Sequence, residues 1–485
     1  MKINNVSARL QWFCDRYADG ILSVLLVVLD YAMVVGAEYL SYRLRNTWLP
    51  IANELFYVPP VYLYVIVPTI FLCFLHSSEA HMRSVPFWKM AQNVFWAVFY
   101  SVLTITMLMY FGKVAEVVSR LFVGMTGIFS FLFILSGRYF FKRYINERKL
   151  FQIPVLFIGA GRTAELVLDS FEHDSGFGYR ILGFIEDHPE ESPIRDRVRI
   201  LGRFENIERV IRMTGVREVI IAVPGLSSEK QVELVNRIQP LVKNVSFVPD
   251  LVGAPVGTID IETLVDSRLM LLRVHNNLAQ WKNRMFKRFF DVVVSCILLL
   301  GIVPIGLAIS FLIFMDSPGP VLFRQKRIGR NNKDFVCYKF RSMYMNADEM
   351  LEKHFAEHPE AREEWEEFAK LRGEDPRVTP VGKWIRRYSL DELPQIINVI
   401  KGEMSLVGPR PYLPREAEMM GEYLSTIVVT VPGITGLWQI SGRNDISFQG
   451  RLHLDAWYVR NWSVWMDIVY LLKTVKVVFG KKGAY

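Results

Sequence analysis

The stretch Val292-Val-Val-Ser-Cys-Ile-Leu-Leu-Leu-Gly-Ile-Val-Pro304-Ile-Gly-Leu-Ala-Ile-Ser-Phe-Leu-Ile-Phe-Met315 carries no charge over 24 residues. At about 1.5 Å per residue it is long enough to cross a bilayer. Two features argue against a crossing. Pro304 sits near the middle, where it removes a backbone hydrogen bond and clashes with the preceding turn. Both flanks are basic, with Lys282, Arg284, Lys287 and Arg288 before the run and Arg324, Lys326, Arg327 and Arg330 after it. Positive charge collects on one side of a membrane. The pattern therefore predicts a helix, a break at Pro304 and a second helix, entering and leaving through one face over about residues 290–315. Lys287 and Arg288 are then placed at the level of the lipid headgroups. A proline-kinked spanning helix is the competing reading, and it would send about 170 C-terminal residues to the far side.

Hydrophobic residues make up 51% of the 485 and charged residues 22%, but they are unevenly mixed. Most of the first 140 positions are apolar, and much of the charge follows Arg138. Four stretches read as transmembrane helices: Gly20–Leu40, Val61–Leu75, Phe87–Phe111 and Leu121–Ser136. The second is short for a span of roughly 20 residues and needs Val58 and its neighbours. Residues 1–150 are therefore expected to form a four-helix membrane bundle. Lys2, Arg9 and Arg16 precede the first span, and Arg138, Lys142, Arg143, Arg148 and Lys149 follow the fourth. Basic loops stay inside, and an even number of crossings returns the chain to the same face. Everything after Arg138 then starts in the cytoplasm. Asp30, inside the first span, is costly in lipid and should face other helices, either as a hydrogen-bond partner or as a relay or lipid-phosphate contact.

A formal net charge of +8 and a pI near 9.1 suit anionic lipid headgroups or phosphorylated substrates. Nucleic acid is not an expected partner, since no basic run with interleaved aromatics and no zinc-finger or helix-turn-helix pattern is found. Cys14, Cys73, Cys296 and Cys337 are scattered and never form Cys-x-x-Cys, which excludes a disulfide framework and fits a reducing compartment. The first apolar run begins near Gly20, so the N-terminus does not read as a cleavable signal.

Residues 151–280 read as a cytoplasmic Rossmann-like domain. Ile153–Ile158 is a short buried-strand pattern that runs into Gly159-Ala-Gly161-Arg-Thr-Ala164, followed by a helical stretch, Glu165–Phe171. This is the Gly-x-Gly-x-x-Ala form of a dinucleotide fingerprint, in which Gly159 and Gly161 would let a phosphate approach a helix N-terminus. Ile181–Ile185 ends in Glu186 and Asp187, where a ribose-binding acid would sit, and Val219–Val223 and Val245–Val248 add strands. An empty crevice is nearly as good a reading of the turn as a nucleotide site. Epimerase or dehydratase chemistry of the short-chain type needs Tyr-x-x-x-Lys. The only tyrosine between Phe151 and Phe290 is Tyr179, followed four positions on by Gly183, and that chemistry is absent. A membrane scaffold without catalysis remains the non-enzymatic alternative.

Residues 281–485 hold the densest motifs. Arg324–Arg330 and Tyr338-Lys-Phe-Arg-Ser-Met343 are basic, and Ala347–Leu371 is a charged helix with a solvated or partner-facing surface. Arg386-Arg-Tyr-Ser-Leu-Asp391-Glu392-Leu-Pro-Gln395 follows, then Gly408-Pro-Arg410-Pro411, then Pro432-Gly-Ile-Thr-Gly-Leu-Trp-Gln-Ile-Ser-Gly-Arg443-Asn444. Ser389-x-x-Glu392 is a good capping box on its own. Adjacent carboxylates near a helix start, with arginines close by, also suit a divalent cation and a phosphate together, and one carboxylate would then be free to attack phosphorus.

Together these strings, with Lys287-Arg-Phe-Phe-Asp291, closely resemble the large monotopic phosphoglycosyltransferases of bacteria, and the resemblance covers essentially the whole chain. It implies a membrane protein of α plus α/β class: four transmembrane helices, a Rossmann-like middle, and a catalytic domain with a re-entrant helix, in the bacterial inner membrane as a homodimer. It implies transfer of hexose-1-phosphate, galactose before glucose, from UDP-hexose to undecaprenyl phosphate with release of UMP. Asp391 takes the nucleophile's place and Glu392 that of a Mg²⁺ ligand, with Asp391 beside it at the metal. Arg410 matches a phosphate-binding arginine, and Arg386 and Arg443 are further phosphate or nucleotide contacts. One departure is Val303-Pro304 where many relatives have Ser-Pro, which puts the angle of the break in doubt.

Overall fold

A helix that is apolar all round packs on its neighbours along one flank and suits lipid along the other. Helices of this kind open the chain. The computed structural model describes residues 18–48, 58–78, 85–112, 119–173, 178–249, 259–264, 269–274, 277–358, 362, 375–442 and 446–479, in two compact units, 1–250 and 251–485. In the first unit lie α1 (Ala18–Arg43), α2 (Val67–Ser77, entered through a π turn at Tyr62–Ile66), α3 (Phe87–Phe111) and α4 (Arg120–Glu147). Val34, Phe71, Val94, Val98 and Ile134 form their common core, while Trp96, Phe99, Tyr110 and Phe111 are exposed. The helices that include α1, α3 and α4 are long and apolar enough to cross a membrane; the Tyr62–Ser77 stretch is shorter.

α4 outruns the expected span by about three turns. Arg138 and Lys142, read from sequence as loop residues, are buried within it. The cause is Asp30 on α1, whose Oδ1 accepts the Arg138 Nε hydrogen bond at 2.8 Å and whose Oδ2 accepts a second from the same guanidinium. Neither side chain is exposed, and each offsets the cost of burying the other. Asp30 is thus a packing partner between helices.

β1 (Ile153–Ile158), α5 (Arg162–His173), β2 (Tyr179–Ile185), β3 (Ile200–Gly202), α6 (Ile207–Thr214), β4 (Glu218–Ile221), α7 (Ser228–Ile238) and β5 (Asn244–Phe247) alternate. The strands are parallel in the order β3-β2-β1-β4-β5, the order of doubly wound dinucleotide folds. Gly159 has φ +93°, and a Cβ there would lie 2.8 Å from the Ala222 carbonyl oxygen, so only glycine lets the turn approach the end of β4. The turn's amide is already used. Glu186, expected to reach a ribose, folds back so that its Oε2 accepts the Ala160 N–H at 2.7 Å and its Oε1 accepts that of Asp187 at 3.0 Å. Gly159 and Gly161 therefore frame a turn that faces the chain's own carboxylate, because β2 lies beside β1 and a glutamate at its end spans the gap.

The second unit contains a hairpin of β6 (Ile259–Leu264) and β7 (Leu269–Val274), then α8 (Trp281–Asp316). β8 (Leu322–Ile328) and β9 (Asp334–Phe340) form an antiparallel pair. α9 (Ala347–Glu357) is the first part of the expected charged helix, most of whose remainder lies outside the described residues. α10 (Pro380–Arg387) and α11 (Gln395–Lys401) follow. β10 (Ser405–Val407) pairs in parallel with β11 (Gly433–Thr435), and α12 (Phe448–Asn461) and α13 (Val464–Phe479) close the unit.

The break expected at Pro304 is not there: α8 is one helix of 36 residues with the proline inside it. A long helix absorbs the lost hydrogen bond and the clash by bending rather than by ending. Both ends of α8 nonetheless pack on the same unit. Near the C-terminal end, Ile309 and Ile313 join Phe340 and Ile385 in one apolar cluster, and Asp316 accepts the Val381 N–H at 3.1 Å. Between the two ends Ile297, Leu300 and Leu307 are exposed.

The N-terminal end corrects the assignment of Lys287 and Arg288 to headgroups. Lys287 is 4% exposed and donates to Asp467 Oδ2 at 2.7 Å, the Val407 carbonyl at 2.9 Å and the Tyr458 hydroxyl at 3.2 Å. Asp291, one turn along the same face, accepts the Leu406 N–H at 3.2 Å. Arg288 donates to the carbonyls of Val399 and, at 2.6 Å, Ile400, satisfying the negative C-terminal end of α11. Residues three and four apart share a helix face, so the basic string turns its charges into the protein. We predict that Lys287→Met, which leaves Asp467 buried without its cation, costs about 3–5 kcal/mol and lowers the thermal unfolding midpoint in detergent. A headgroup role would instead weaken membrane association and leave that midpoint unchanged.

Candidate active site

α10 begins at Pro380 behind a Thr379 cap whose hydroxyl accepts the Gly382 N–H at 2.9 Å, and it ends at Arg387. Ser389 then takes a left-handed conformation, φ +55°, at a cost of about 1–2 kcal/mol for a residue with a side chain. Its hydroxyl makes no cap, so the expected capping box does not form; Leu390–Glu392 is a single 3₁₀ turn, and α11 starts after Pro394. Leu390 and Leu393 pack against the cluster of Ile309, Ile313, Phe340 and Ile385. Asp391 and Glu392 thus sit between two apolar anchors that dock on α8. Their side chains are 15% and 28% exposed, sheltered yet reachable.

Lys339 on β9 faces both carboxylates. Its Nζ donates to Glu392 Oε1 at 2.7 Å and lies 3.9 Å from Asp391 Oδ2. Burial disfavours the ammonium charge, but Glu392 and Asp391 more than offset this and hold Lys339 above the usual lysine value. Asp391 is also held above an ordinary aspartate: burial raises it most, Lys339 opposes, Glu392 adds like-charge repulsion, and Arg386 opposes again. Arg386, at the end of α10, is positioned by an Nε hydrogen bond to the Ser342 hydroxyl at 2.8 Å. Arg386 is thereby held near Asp391, whose charge favours the guanidinium.

The Gly408-Pro-Arg-Pro string lies at the end of β10. A Cβ on Gly433 would come within 2.1 Å of the Gly408 nitrogen, so the two strands meet this closely only with glycine there. The buried Oδ2 of Asp455 accepts the Arg410 N–H at 2.9 Å and the Tyr412 hydroxyl at 2.8 Å, which fixes the backbone of Arg410. Burial pushes Asp455 up to about 7, against the pull of the Arg410 N–H, Tyr412 and the arginines Arg410 and Arg451. The guanidinium carbons of Arg410 and Arg451 lie 5.3 and 5.4 Å from the centre of the Trp438 ring. Arg327 on β8 donates to the Pro411 carbonyl at 2.8 Å. Burial and the neighbouring Arg410 both lower Arg327, while Glu392 raises it, so Arg327 feels the carboxylate turn and the arginine group at once. Among the described residues none of Arg327, Arg410 and Arg451 forms an ion pair. The site gathers arginines that make no direct ion pair beside its two carboxylates, an arrangement that suits a polyanionic ligand.

Of the residues singled out in the sequence, Asp391, Glu392, Arg386 and Arg410 fall in this region; Arg443 lies outside the described residues. Lys339, Trp438, Arg451 and Asp455 were not singled out individually, and Arg327 was named only as a basic flank. Lys339, Arg327 and Trp438 stand inside the quoted strings, and Arg451 and Asp455 are four apart on α12, hence on one face. Among the described residues no group of three or more His, Cys, Asp or Glu side chains is placed to hold a metal. Two adjacent, partly exposed carboxylates nevertheless fit Mg²⁺, which is commonly held by one or two carboxylates together with substrate phosphates and water.

Comparison with known proteins places these features. The bacterial sugar transferase family matches residues 282–481, and a CoA-binding domain family matches residues 80–249. The undecaprenyl-phosphate galactose phosphotransferase of Salmonella typhimurium is 36% identical over 360 residues, 74% of either chain. The undecaprenyl-phosphate glucose phosphotransferase of Komagataeibacter xylinus is 32% identical over 74% of this chain and 66% of its own. The exopolysaccharide production protein ExoY of Rhizobium meliloti is 46% identical over 201 residues, 41% of this chain but 88% of its own length. The carboxylate turn on α8 and the arginines around it lie within residues matched by that family, and the chain belongs to the bacterial sugar transferases.

Proposed function

We propose that the protein is a sugar-phosphate transferase that moves hexose-1-phosphate from UDP-hexose to undecaprenyl phosphate at the cytoplasmic face of a bacterial inner membrane, releasing UMP. This would be the first membrane step in making an O-antigen, capsule or exopolysaccharide. The observation that carries the reading is the seating of Asp391 and Glu392 against α8, facing guanidinium groups that have no carboxylate partner. The relatives named for galactose and glucose phosphotransfer support the reaction class. UDP-galactose is put first as donor and UDP-glucose second, and a panel of UDP-sugars with radiolabel counted in the lipid fraction distinguishes them. The resemblance also implies a homodimer, which mass photometry of the detergent-solubilised chain would check.

α8 is read as re-entrant because both of its ends pack on one globular unit while its exposed middle is apolar. That arrangement brings a lipid acceptor, whose phosphate lies at the headgroup level, to the carboxylate turn. In the first half-reaction an Asp391 carboxylate oxygen attacks the sugar-bearing phosphorus of UDP-hexose. The bond from that phosphorus to the bridging oxygen breaks, and UMP leaves with the electron pair. The hexose phosphate remains as an acyl phosphate on Asp391. In the second, an oxygen of undecaprenyl phosphate attacks the same phosphorus and the carboxylate is released. Lys339 favours the ionised form of Asp391 and holds Glu392 in place. Arg410 and Arg386 orient the diphosphate, with Trp438 supporting the Arg410 guanidinium. A magnesium ion held by oxygens of Glu392 and Asp391 would supply further neutralisation of the diphosphate charge.

Asp391→Asn should reduce UMP release from UDP-hexose by about a thousandfold or more, with an unfolding midpoint at or above that of the parent protein, since a buried charge is removed. Near-parental turnover would eliminate Asp391 as nucleophile. Lys339→Met removes the cation that opposes protonation of Asp391, so its pKa rises and the ionised form is lost at higher pH. The acid limb of the pH–rate profile should therefore move upward, and an unmoved limb would mean that Lys339 has only a structural part.

A further inference from the structure

The membrane bundle contains a carboxylate that the transfer reaction does not use. Glu38 on α1 is 1% exposed, and among the described residues neither of its oxygens has a hydrogen-bond partner. Asp30, two turns earlier on the same helix, is answered by Arg138; Glu38 is not answered. The hydroxyls of Thr126 and Ser130, one turn apart on α4, are also buried without partners. An unpaired acid in a membrane interior is costly and is retained for a reason.

Glu38 lines a cavity of about 390 Å³ where α1 and α3 finish and α4 begins, and Thr126 lines it too. The remaining wall is largely apolar, with Phe71, Val102, Ile105 and Met109 among its residues. The volume lies within the range of small-molecule sites. Water alone is a poor occupant, because a buried water needs two to four polar partners and most of this wall offers none. An aliphatic chain satisfies the apolar wall and leaves the acid orphaned unless the same molecule carries a polar end. An ionised carboxylate accepts hydrogen bonds only, and a protonated one keeps an accepting oxygen, so a donating end suits Glu38 in either state.

We propose that this cavity is a lipid-binding site for one amphiphile, whose aliphatic chain fills the space between α1, α2, α3 and α4 and whose hydrogen-bond-donating head, an amine or a hydroxyl, rests on Glu38 beside Thr126. The site lies in the bundle, in a different structural unit from the carboxylate turn, so occupancy can be read without reference to transfer. The two head chemistries differ in what they ask of Glu38. An ammonium pairs with the ionised acid, whereas a hydroxyl also suits the neutral acid, both giving and accepting a bond.

The test uses the full-length chain in nanodiscs of phosphatidylcholine, whose head has no donor, doped in separate arms with phosphatidylethanolamine or with diacylglycerol. Lipid retained after ejection from the disc is identified by native mass spectrometry. The expected result is one doped lipid per chain, enriched about tenfold over its share of the disc, the ratio expected for one charge-assisted hydrogen bond. Enrichment in the phosphatidylethanolamine arm alone identifies an amine head, and enrichment with diacylglycerol a hydroxyl head. Glu38→Leu should abolish the enrichment while UMP release stays at the parental rate. Glu38→Gln, which keeps a polar group in place, should retain it in the hydroxyl arm if diacylglycerol is the preferred lipid. Retention of no lipid by the parent chain, retention of phosphatidylcholine as readily as either doped lipid, or undiminished enrichment in Glu38→Leu would overturn the proposal. The comparison among parental discs stands even if a variant fails to fold.

Discussion

A lysine ammonium buried against an aspartate ties the N-terminal end of α8 into the second unit. Lys287 meets Asp467 Oδ2 at 2.7 Å, and Asp467 also accepts from the Tyr458 hydroxyl at 2.7 Å and the Trp462 indole at 3.0 Å. With that many donors the buried pair is well satisfied, the condition under which burying two charges is tolerable. It holds the N-terminal end of α8 to β10 and α13, while Ile309 and Ile313 hold the other end to β9 and α10. Between them Ser295 is buried, and most of the remaining residues are apolar and exposed. The carboxylate turn packs against the C-terminal part of that helix through Leu390 and Leu393.

The second constraint is charge. Two carboxylates face one lysine and one arginine, and three more arginines stand nearby with no direct ion pair among the described residues. Burial and the neighbouring Arg410 both disfavour the charge on Arg327, and an arriving anion would favour it. The Trp438 ring beside both guanidinium groups and the grip of Asp455 on the Arg410 backbone hold these arginines in place. Catalysis by preset charges of this kind requires little rearrangement at the moment of reaction.

Much of this was legible in the sequence where one pattern dominates. Ile153–Ile158 and Phe87–Phe111 form with the boundaries read from hydrophobic pattern, because a buried strand and a long apolar helix leave little ambiguity. Adjacent Asp391 and Glu392 read first as a capping box, and their separate roles came from the resemblance. Lys287 was misplaced because the rule for basic flanks describes charges that reach headgroups, and only tertiary partners such as Asp467, 180 residues away, reveal one that turns inward. The end of α4 was misjudged for the same reason, since Arg138 looks like a stop signal until Asp30 is seen opposite it. Lys339 escaped notice as a separate residue because its partners come from a different element, and the capping box at Ser389 lost to a left-handed residue that no local propensity favours.

The most direct test of the account is to trap the intermediate. Full-length protein incubated with UDP-galactose and magnesium, without lipid acceptor, is quenched, digested and mapped by mass spectrometry. The account predicts one hexose phosphate attached to the peptide containing Asp391, labile to hydroxylamine as an acyl phosphate should be. A hexose phosphate on any other residue, or continued UMP release with no adduct anywhere, would contradict it.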